Sequence, residues 1–193
     1  MSHLSQVHID IDESDKWATR ALIETAPRRA TQIAKMLGWA CDARVLLGVG
    51  VIWWLGSRYD RRSDALSYLG IFSTTTALHH AIKRIVAQKR PDRSLQPTFH
   101  VKPTGRPYDA FPSGHAMHAG ALASFLTAGA VRSGLWPWAV CGTLAFARVS
   151  ALAHWPSGVI GGFAIGVLVE RLWRRCRRRR GFPSRPRATP SRA

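Results

Sequence analysis

Between Phe111 and Gly120 the chain reads FPSGHAMHAG, then runs directly into the apolar, small-residue segment ALASFLTAGAV. Proline favours the first turn of a helix and serine its cap, so a helix should begin here. Its first turn would offer unpaired main-chain N–H groups and the positive end of the helix dipole. Ser113 and Gly114 would sit at that end, with His115 as a proton donor beside them. Alone, these residues read more simply as a capped helix start with a polar flank; an anion site needs cations as well. Lys83 and Arg90, in LHHAIKRIVAQKRPDR, are seven positions apart and would share one face if that helix ran on to Pro91. Arg148, in LAFARVSALAHWPSG, is followed six positions later by His154, just before Trp155-Pro156, where a helix should already be ending. Arg148 and His154 would not share a face of one straight helix. They converge if His154 sits on the turn that follows.

These side chains must be carried by something, and the middle of the chain supplies apolar segments. The 193 residues suffice for one domain with a real core. Mean hydropathy is near zero only because polar, charged ends flank a middle rich in Leu, Ala, Gly, Val and Trp. Five segments approach the roughly 20 residues a membrane crossing needs: Asp42–Gly56, Ala65–Ile85, Gly114–Val131, Leu135–Ala153 and Ser157–Trp173. Small residues recur in the last four, as in closely packed membrane helices. Trp53, Trp54, Trp136, Trp138, Trp155 and Trp173 fall near segment ends, like an interfacial aromatic belt. A soluble bundle is the alternative, and the lack of a polar face on the third and fifth segments speaks against it. Residues 14–40, with Ile33, Met36, Leu37 and Ala40 at helical spacing and Pro27 dividing the stretch, predict one or two amphipathic helices lying on the interface. The expected fold is therefore all-α: an integral membrane helical bundle of about five transmembrane helices with an N-terminal amphipathic segment. Its divisions are 1–41 for the polar N-terminus, 42–173 for the membrane domain and 174–193 for a disordered Arg-rich tail.

In an up-and-down bundle, the end of the second segment, the start of the third and the end of the fourth lie on one side of the membrane. Lys83, Arg90, Arg148, Ser113, Gly114, His115 and His154 then meet in one place. Intramembrane charges are costly and usually functional. A cluster of cations and imidazoles with no carboxylate group to neutralise it wants a multiply charged anion, most plausibly phosphate.

The motifs Lys83-x6-Arg90-Pro91, Pro112-Ser113-Gly114-His115 and Arg148-x5-His154 resemble, in order and spacing, the three signatures of the type-2 phosphatidic acid phosphatase superfamily, which also includes vanadium haloperoxidases. The resemblance covers roughly residues 65–175. It implies an all-helical fold and dephosphorylation of a membrane lipid phosphate or diphosphate without metal or other cofactor. It also implies His154 as the nucleophile that forms a phosphohistidine, and His115 as the acid that protonates the leaving group. Lys83, Arg90, Arg148, Ser113 and the Gly114 N–H would cradle the phosphoryl oxygens. Two positions depart from the family pattern. Ala147 stands where serine is usual, and Gly158 stands four residues after His154, where the family has an aspartate that fixes the histidine tautomer. Asp109, Asp92 and the Ser157 hydroxyl are the nearby groups that could replace it. The rival expectation is a weakened or inactive homologue that binds lipid headgroups or acts as a membrane scaffold.

The formal charge of +17 comes from 28 basic against 11 acidic residues, and ten of the basic ones lie from Arg171 onward. Such a tail suits nucleic acid or the anionic face of a membrane; the apolar segments favour anionic lipids and no nucleic acid. Cys41, Cys141 and Cys176 are scattered, which argues against a disulfide scaffold or a zinc site. The polar, acidic opening predicts no cleavable signal peptide. Five crossings put the Arg-rich tail, the SRYDRRSD loop and Arg132 on the side opposite the site. The positive-inside rule makes that side cytoplasmic. The site then faces the periplasm or exterior, in a bacterial inner membrane. A lipid phosphate and the membrane are the expected partners.

Overall fold

The structure is a computed structural model that describes residues 7–25, 38–91, 107–128 and 134–180. Among these the chain forms six α-helices: α1 (Glu13–Thr25), α2 (Ala43–Gly56), α3 (Tyr59–Ile85), α4 (Gly114–Ala128), α5 (Trp136–Ser150) and α6 (Pro156–Arg179). A 3-10 turn, Gly38–Cys41, precedes α2. The only sheet among the described residues is a parallel pair of two-residue strands, β1 (Val7–His8) and β2 (Val86–Ala87). The five apolar segments correspond to α2 through α6, so the helical expectation holds element by element.

The helix ends show why. Asp42, which interrupts the first apolar run, is the cap of α2: its carboxylate accepts from the Arg44 main-chain N–H at 2.9 Å. Pro137 and Pro156 occupy the first turns of α5 and α6, where a missing N–H costs nothing. The second segment ends at Ile85, where its apolar run ends, and the helix does not run on to Pro91 as a shared face for Lys83 and Arg90 would require, because Val86 and Ala87 pair with Val7 and His8. β-branched Ile85 and Val86 suit that extended path, and the residue before Pro91 disfavours helix in any case. At the other end, α6 runs past Trp173 to Arg179, so the first arginines of the expected tail are helical. The rest of that tail, 181–193, lies outside the described residues, as do Ile33, Met36 and Leu37 of the expected N-terminal helices.

The expectation of about five transmembrane helices needs correction. Among the described residues no helix is both long and apolar enough to cross a membrane. α2, α4 and α5 have 14, 15 and 15 residues, about 21–23 Å at 1.5 Å per residue, against about 30 Å of hydrocarbon. α3 and α6, with 27 and 24 residues, are long enough. Ser73, Thr74 to Thr76, His79 and His80 dilute the first, and Glu170, Arg171 and several glycines the second.

The core is built on α4, nearly every residue of which is buried through Ser124. It packs closely on α6 because glycines remove the obstacles. A Cβ at Gly166 would clash with the Met117 carbonyl, and one at Gly120 with the Phe163 carbonyl. Small residues at such a seam let two helix backbones touch. On the other flank, α2, α3 and α4 share an aromatic cluster of Trp53, Tyr68, Phe72 and Phe125. Buried Glu170 is held near the far end by Ser124 Oγ at 2.5 Å and Arg174 at 3.1 Å. α1 packs against α5 and α6 and buries Asp15 and Thr19.

Candidate active site

Ser113 does what its helix-cap reading requires. Fully buried, it places its Oγ 3.4 Å from the Ala116 N–H, and its own N–H donates to the Gly158 carbonyl at 3.0 Å. A hydroxyl that accepts on one lone pair still has its proton to give, so capping and anion binding are compatible. Gly114 follows with a bare Cα because α3 lies against it; a Cβ there would come within 2.8 Å of His79 Nε2. His115 points from the first turn of α4 toward α2, its Nε2 3.9 Å from the Asp42 carboxylate.

Arg90 arrives by a different route from the one its spacing suggested. It is carried by an extended segment whose main chain is pinned residue by residue. The Gln88 N–H donates to the Tyr108 carbonyl at 3.0 Å, and the Arg90 N–H to the Pro107 carbonyl at 2.9 Å. The Ala110 N–H donates to the Gln88 carbonyl at 2.9 Å. Arg90 Nη1 then reaches the Ala153 carbonyl at 3.1 Å, immediately before His154. Lys83 stays on the last turn of α3.

The turn after α5 sets His154. The Ala153 and His154 N–H groups both fold back on the Arg148 carbonyl, at 3.1 and 3.4 Å, and Leu152 adopts φ +49°. That left-handed conformation is costly for a branched residue, and complete burial of Leu152 holds it in place. His154 is therefore on the turn, as convergence with Arg148 demanded. Its side chain is buried, and Nδ1 lies 2.7 Å from the Ala110 carbonyl. A carbonyl can only accept, so Nδ1 carries the proton and Nε2 keeps its lone pair. Of the three groups considered as stand-ins for the missing aspartate, Ser157 is engaged elsewhere, giving its N–H and hydroxyl to Asp15, and Asp92 lies outside the described residues. Asp109 is the residue next to the acceptor, and lies within electrostatic range of Lys83.

Lys83, Arg90 and Arg148 are close enough to act electrostatically on one another and on His154, and Lys83 and Arg148 also act on His115. All seven residues expected at the site thus gather at one end of the bundle. Arg148 Nε is buried without a hydrogen-bond partner, a donor held ready in a place that already concentrates positive charge. Among the described residues no group of three or more His, Cys, Asp or Glu is arranged to hold a metal ion. Burial pushes the His154 imidazole well below its ordinary value near 6.5; its hydrogen bond to Ala110 works the other way, and Arg90, Arg148 and Lys83 add to the lowering. It is neutral at neutral pH. A neutral imidazole with a free Nε2, flanked by three cations and a helix N-terminus, can attack an electrophile that brings its own negative charge.

Sequence reasoning missed four participants. His79 sits one turn before Lys83 on α3 and abuts Gly114, and the i,i+4 spacing in LHHAIK was a signal that could have found it. His118, three residues after His115, is buried with its Nε2 3.0 Å from the Thr76 hydroxyl. Asp15 and the Ala110 carbonyl left no readable signal, since one is remote in sequence and the other belongs to the main chain.

Residues 64–182 match the PAP2 superfamily, and the chain belongs to that superfamily. It is 32% identical over 102 residues to an undecaprenyl-diphosphatase of Sulfolobus acidocaldarius, a match that spans 49% of this chain and 46% of that protein. The fold is shared with the crystal structure of Aquifex aeolicus LpxE, at a TM-score of 0.69 and 19% identity over 88% of this chain and 99% of the other. It is also shared with the transmembrane PAP2-type phosphatidylglycerolphosphate phosphatase of Bacillus subtilis, at 0.66 and 22%, over 86% of this chain and 85% of the other.

Proposed function

We propose that the chain is a membrane lipid phosphatase that releases phosphate from a lipid phosphate or diphosphate through a phosphohistidine. The observation that carries this reading is His154 itself. Its Nδ1–H is committed to Ala110, and its other nitrogen is left free beside Lys83, Arg90 and Arg148.

In this reading Nε2 attacks phosphorus in line with the ester oxygen, and the P–N bond forms as the P–O bond breaks. The charge spread over the three equatorial oxygens is met by Lys83, Arg90, Arg148, the Ser113 hydroxyl and the Gly114 N–H. His115 gives its proton to the leaving oxygen and, neutral afterwards, takes one from the water that cleaves the P–N bond. The Asp42 carboxylate, 3.9 Å from His115 Nε2, can pair with the ring when it carries the proton. No step calls for a metal or other cofactor.

The membrane setting is part of the proposal. Val49, Val51, Ile52, Leu55, Leu66, Phe146, Ile160, Leu168 and Leu172 are large apolar side chains exposed on the outer faces of α2, α3, α5 and α6. Such a surface suits lipid better than water. Helices shorter than the hydrocarbon core can be accommodated by local thinning of the bilayer. The chain's similarity to an undecaprenyl-diphosphatase supports the chemistry, and the fold it shares with a transmembrane phosphatase suits the setting. Phosphate release by detergent-purified protein across phosphatidate, phosphatidylglycerol phosphate and isoprenoid diphosphate, with and without chelator, tests it. Release from at least one of these lipids, unaffected by chelator, is expected. No release from any of them would end the reading.

A further inference from the structure

Gly158 stands where the family resemblance calls for an aspartate, yet His154 is not left unsupported. Its Nδ1 lies 2.7 Å from the Ala110 carbonyl. The same carbonyl oxygen is what a side chain at 158 would strike: a Cβ built on Gly158 comes within 2.8 Å of it, and next nearest to the Gln88 side chain at 3.8 Å. Both neighbours belong to the pinned segments, so neither moves freely. Ala110 is fully buried, and its N–H is tied to the Gln88 carbonyl at 2.9 Å. The Gly158 carbonyl accepts from Ser113 at 3.0 Å, which fixes the glycine against the start of α4.

We propose that this chain has exchanged the aspartate for a main-chain acceptor: the Ala110 carbonyl, admitted by the bare Cα of Gly158, is the group that orients His154, and Gly158 is a positioning residue. The proposal rests on the phosphatase reading for its kinetic arm alone. It makes Gly158 a requirement of the site rather than a loss. The chemistry differs from that of an aspartate in one respect. A neutral carbonyl fixes the tautomer as well as a carboxylate does but stabilises the positively charged ring less. Nε2 is thereby a weaker base, and a better leaving group when the P–N bond is cleaved.

A carboxylate returned to position 158 should therefore do harm. Gly158→Ala and Gly158→Asp should each lower kcat roughly 10²-fold, as small displacements of a reacting group do. KM should change little, because the cations are untouched, and the acid limb of the pH–rate profile should move. Packing damage alone would reduce the amount of folded protein without moving that limb. The wild-type protein offers a reading that needs no variant. With ¹⁵N-labelled histidine, the His154 signal should show a protonated Nδ1 and an unprotonated Nε2 at neutral pH. A wild type with the proton on Nε2 would overturn the proposal, as would a folded Gly158→Asp protein that turns over as fast as wild type or faster. If the variants do not accumulate, the wild-type spectrum decides alone. A protonated Nδ1 in a protein that releases no phosphate supports the positioning and overturns only the phosphatase reading.

Discussion

Asp15 and Ser157, 142 residues apart in sequence, meet at the start of α6. The buried carboxylate accepts from the Ser157 main-chain N–H at 2.9 Å and from its hydroxyl at 2.5 Å. A helix N-terminus with a carboxylate on it is satisfied twice, by hydrogen bonds and by the dipole. The acid comes from α1, outside the stretch that matches the superfamily, and the helix it caps begins two residues after His154. β1 does a related job on the other strand of the site, where the Ile9 N–H donates to the Ala87 carbonyl at 3.0 Å. The N-terminal segment, expected to lie passively on the interface, ties down both chain segments that meet at His154.

Asp15→Ala should accordingly lower stability by about 1–2 kcal/mol, the range for a lost helix cap. Ser157→Ala, which keeps the main-chain bond, should cost less. The two changes together should cost less than their sum, and thermal unfolding in detergent would measure all three. Additive losses would mean that the two residues do not act as a pair.

His154→Ala and His115→Ala should each abolish phosphate release in protein that still folds, with His154→Ala the less stable of the two because it empties a buried, hydrogen-bonded position. Vanadate, a mimic of pentacoordinate phosphorus, should compete with substrate among Lys83, Arg90 and Arg148. Full turnover in either variant would remove that histidine from the mechanism, and indifference to vanadate would relocate the phosphate site.

The pH dependence follows from the buried His154 imidazole, which sits in the turn outside the helices and has its proton affinity pushed down by burial. In the unfolded chain the same ring takes a proton near pH 6.5; in the folded chain it does so only well below that. Between the two values the unfolded state holds more protons, so this contribution to stability is full above pH 6.5 and is lost as pH falls below it. The loss should approach about 1.4 kcal/mol per pH unit. The acid limb of kcat/KM should lie below 6.5 for the same reason. His154→Gln should flatten the stability profile in that window.

Orientation can be read with the protein's own thiols. Cys41 and Cys141 are buried and Cys176 is exposed, at the end of the bundle remote from the site. If the chain is inserted as proposed, the positive-inside rule would put the Arg-rich end of α6 on the cytoplasmic side. An impermeant thiol reagent should therefore label Cys176 only after the membrane is opened. A cysteine replacing exposed Tyr108, at the site end, should react in intact cells. The reverse pattern would put lipid cleavage on the cytoplasmic leaflet.

Legibility differed between parts of the molecule for physical reasons. Apolar runs, capping residues and prolines are local, and so the positions of α2 through α6 could be read directly. That seven residues would gather at one end of the bundle was readable because three spaced motifs carried them. Arg90 was placed correctly but for the wrong reason. Strand pairing with residues 79 positions away ended the helix before it, and no local pattern encodes that. The acceptor for His154 was invisible because main-chain atoms look the same in every sequence. Membrane crossing was inferred from runs that, once their helices are delimited, prove short or diluted.

The seam between α4 and α6 has a bearing on how the chain can diverge. At Gly120 and Gly166 an added methyl group would meet main-chain atoms of the opposite helix, and at Gly162 those of Ser113 just before α4, none of which can rotate aside. His115 rides near the start of one of these helices, and His154 immediately precedes the other. Substitutions that would widen the gap between the two imidazoles are thus the ones the backbone forbids. Change in this sequence is tolerated on the outer faces of the bundle, while the seam holds the spacing of the two histidines fixed.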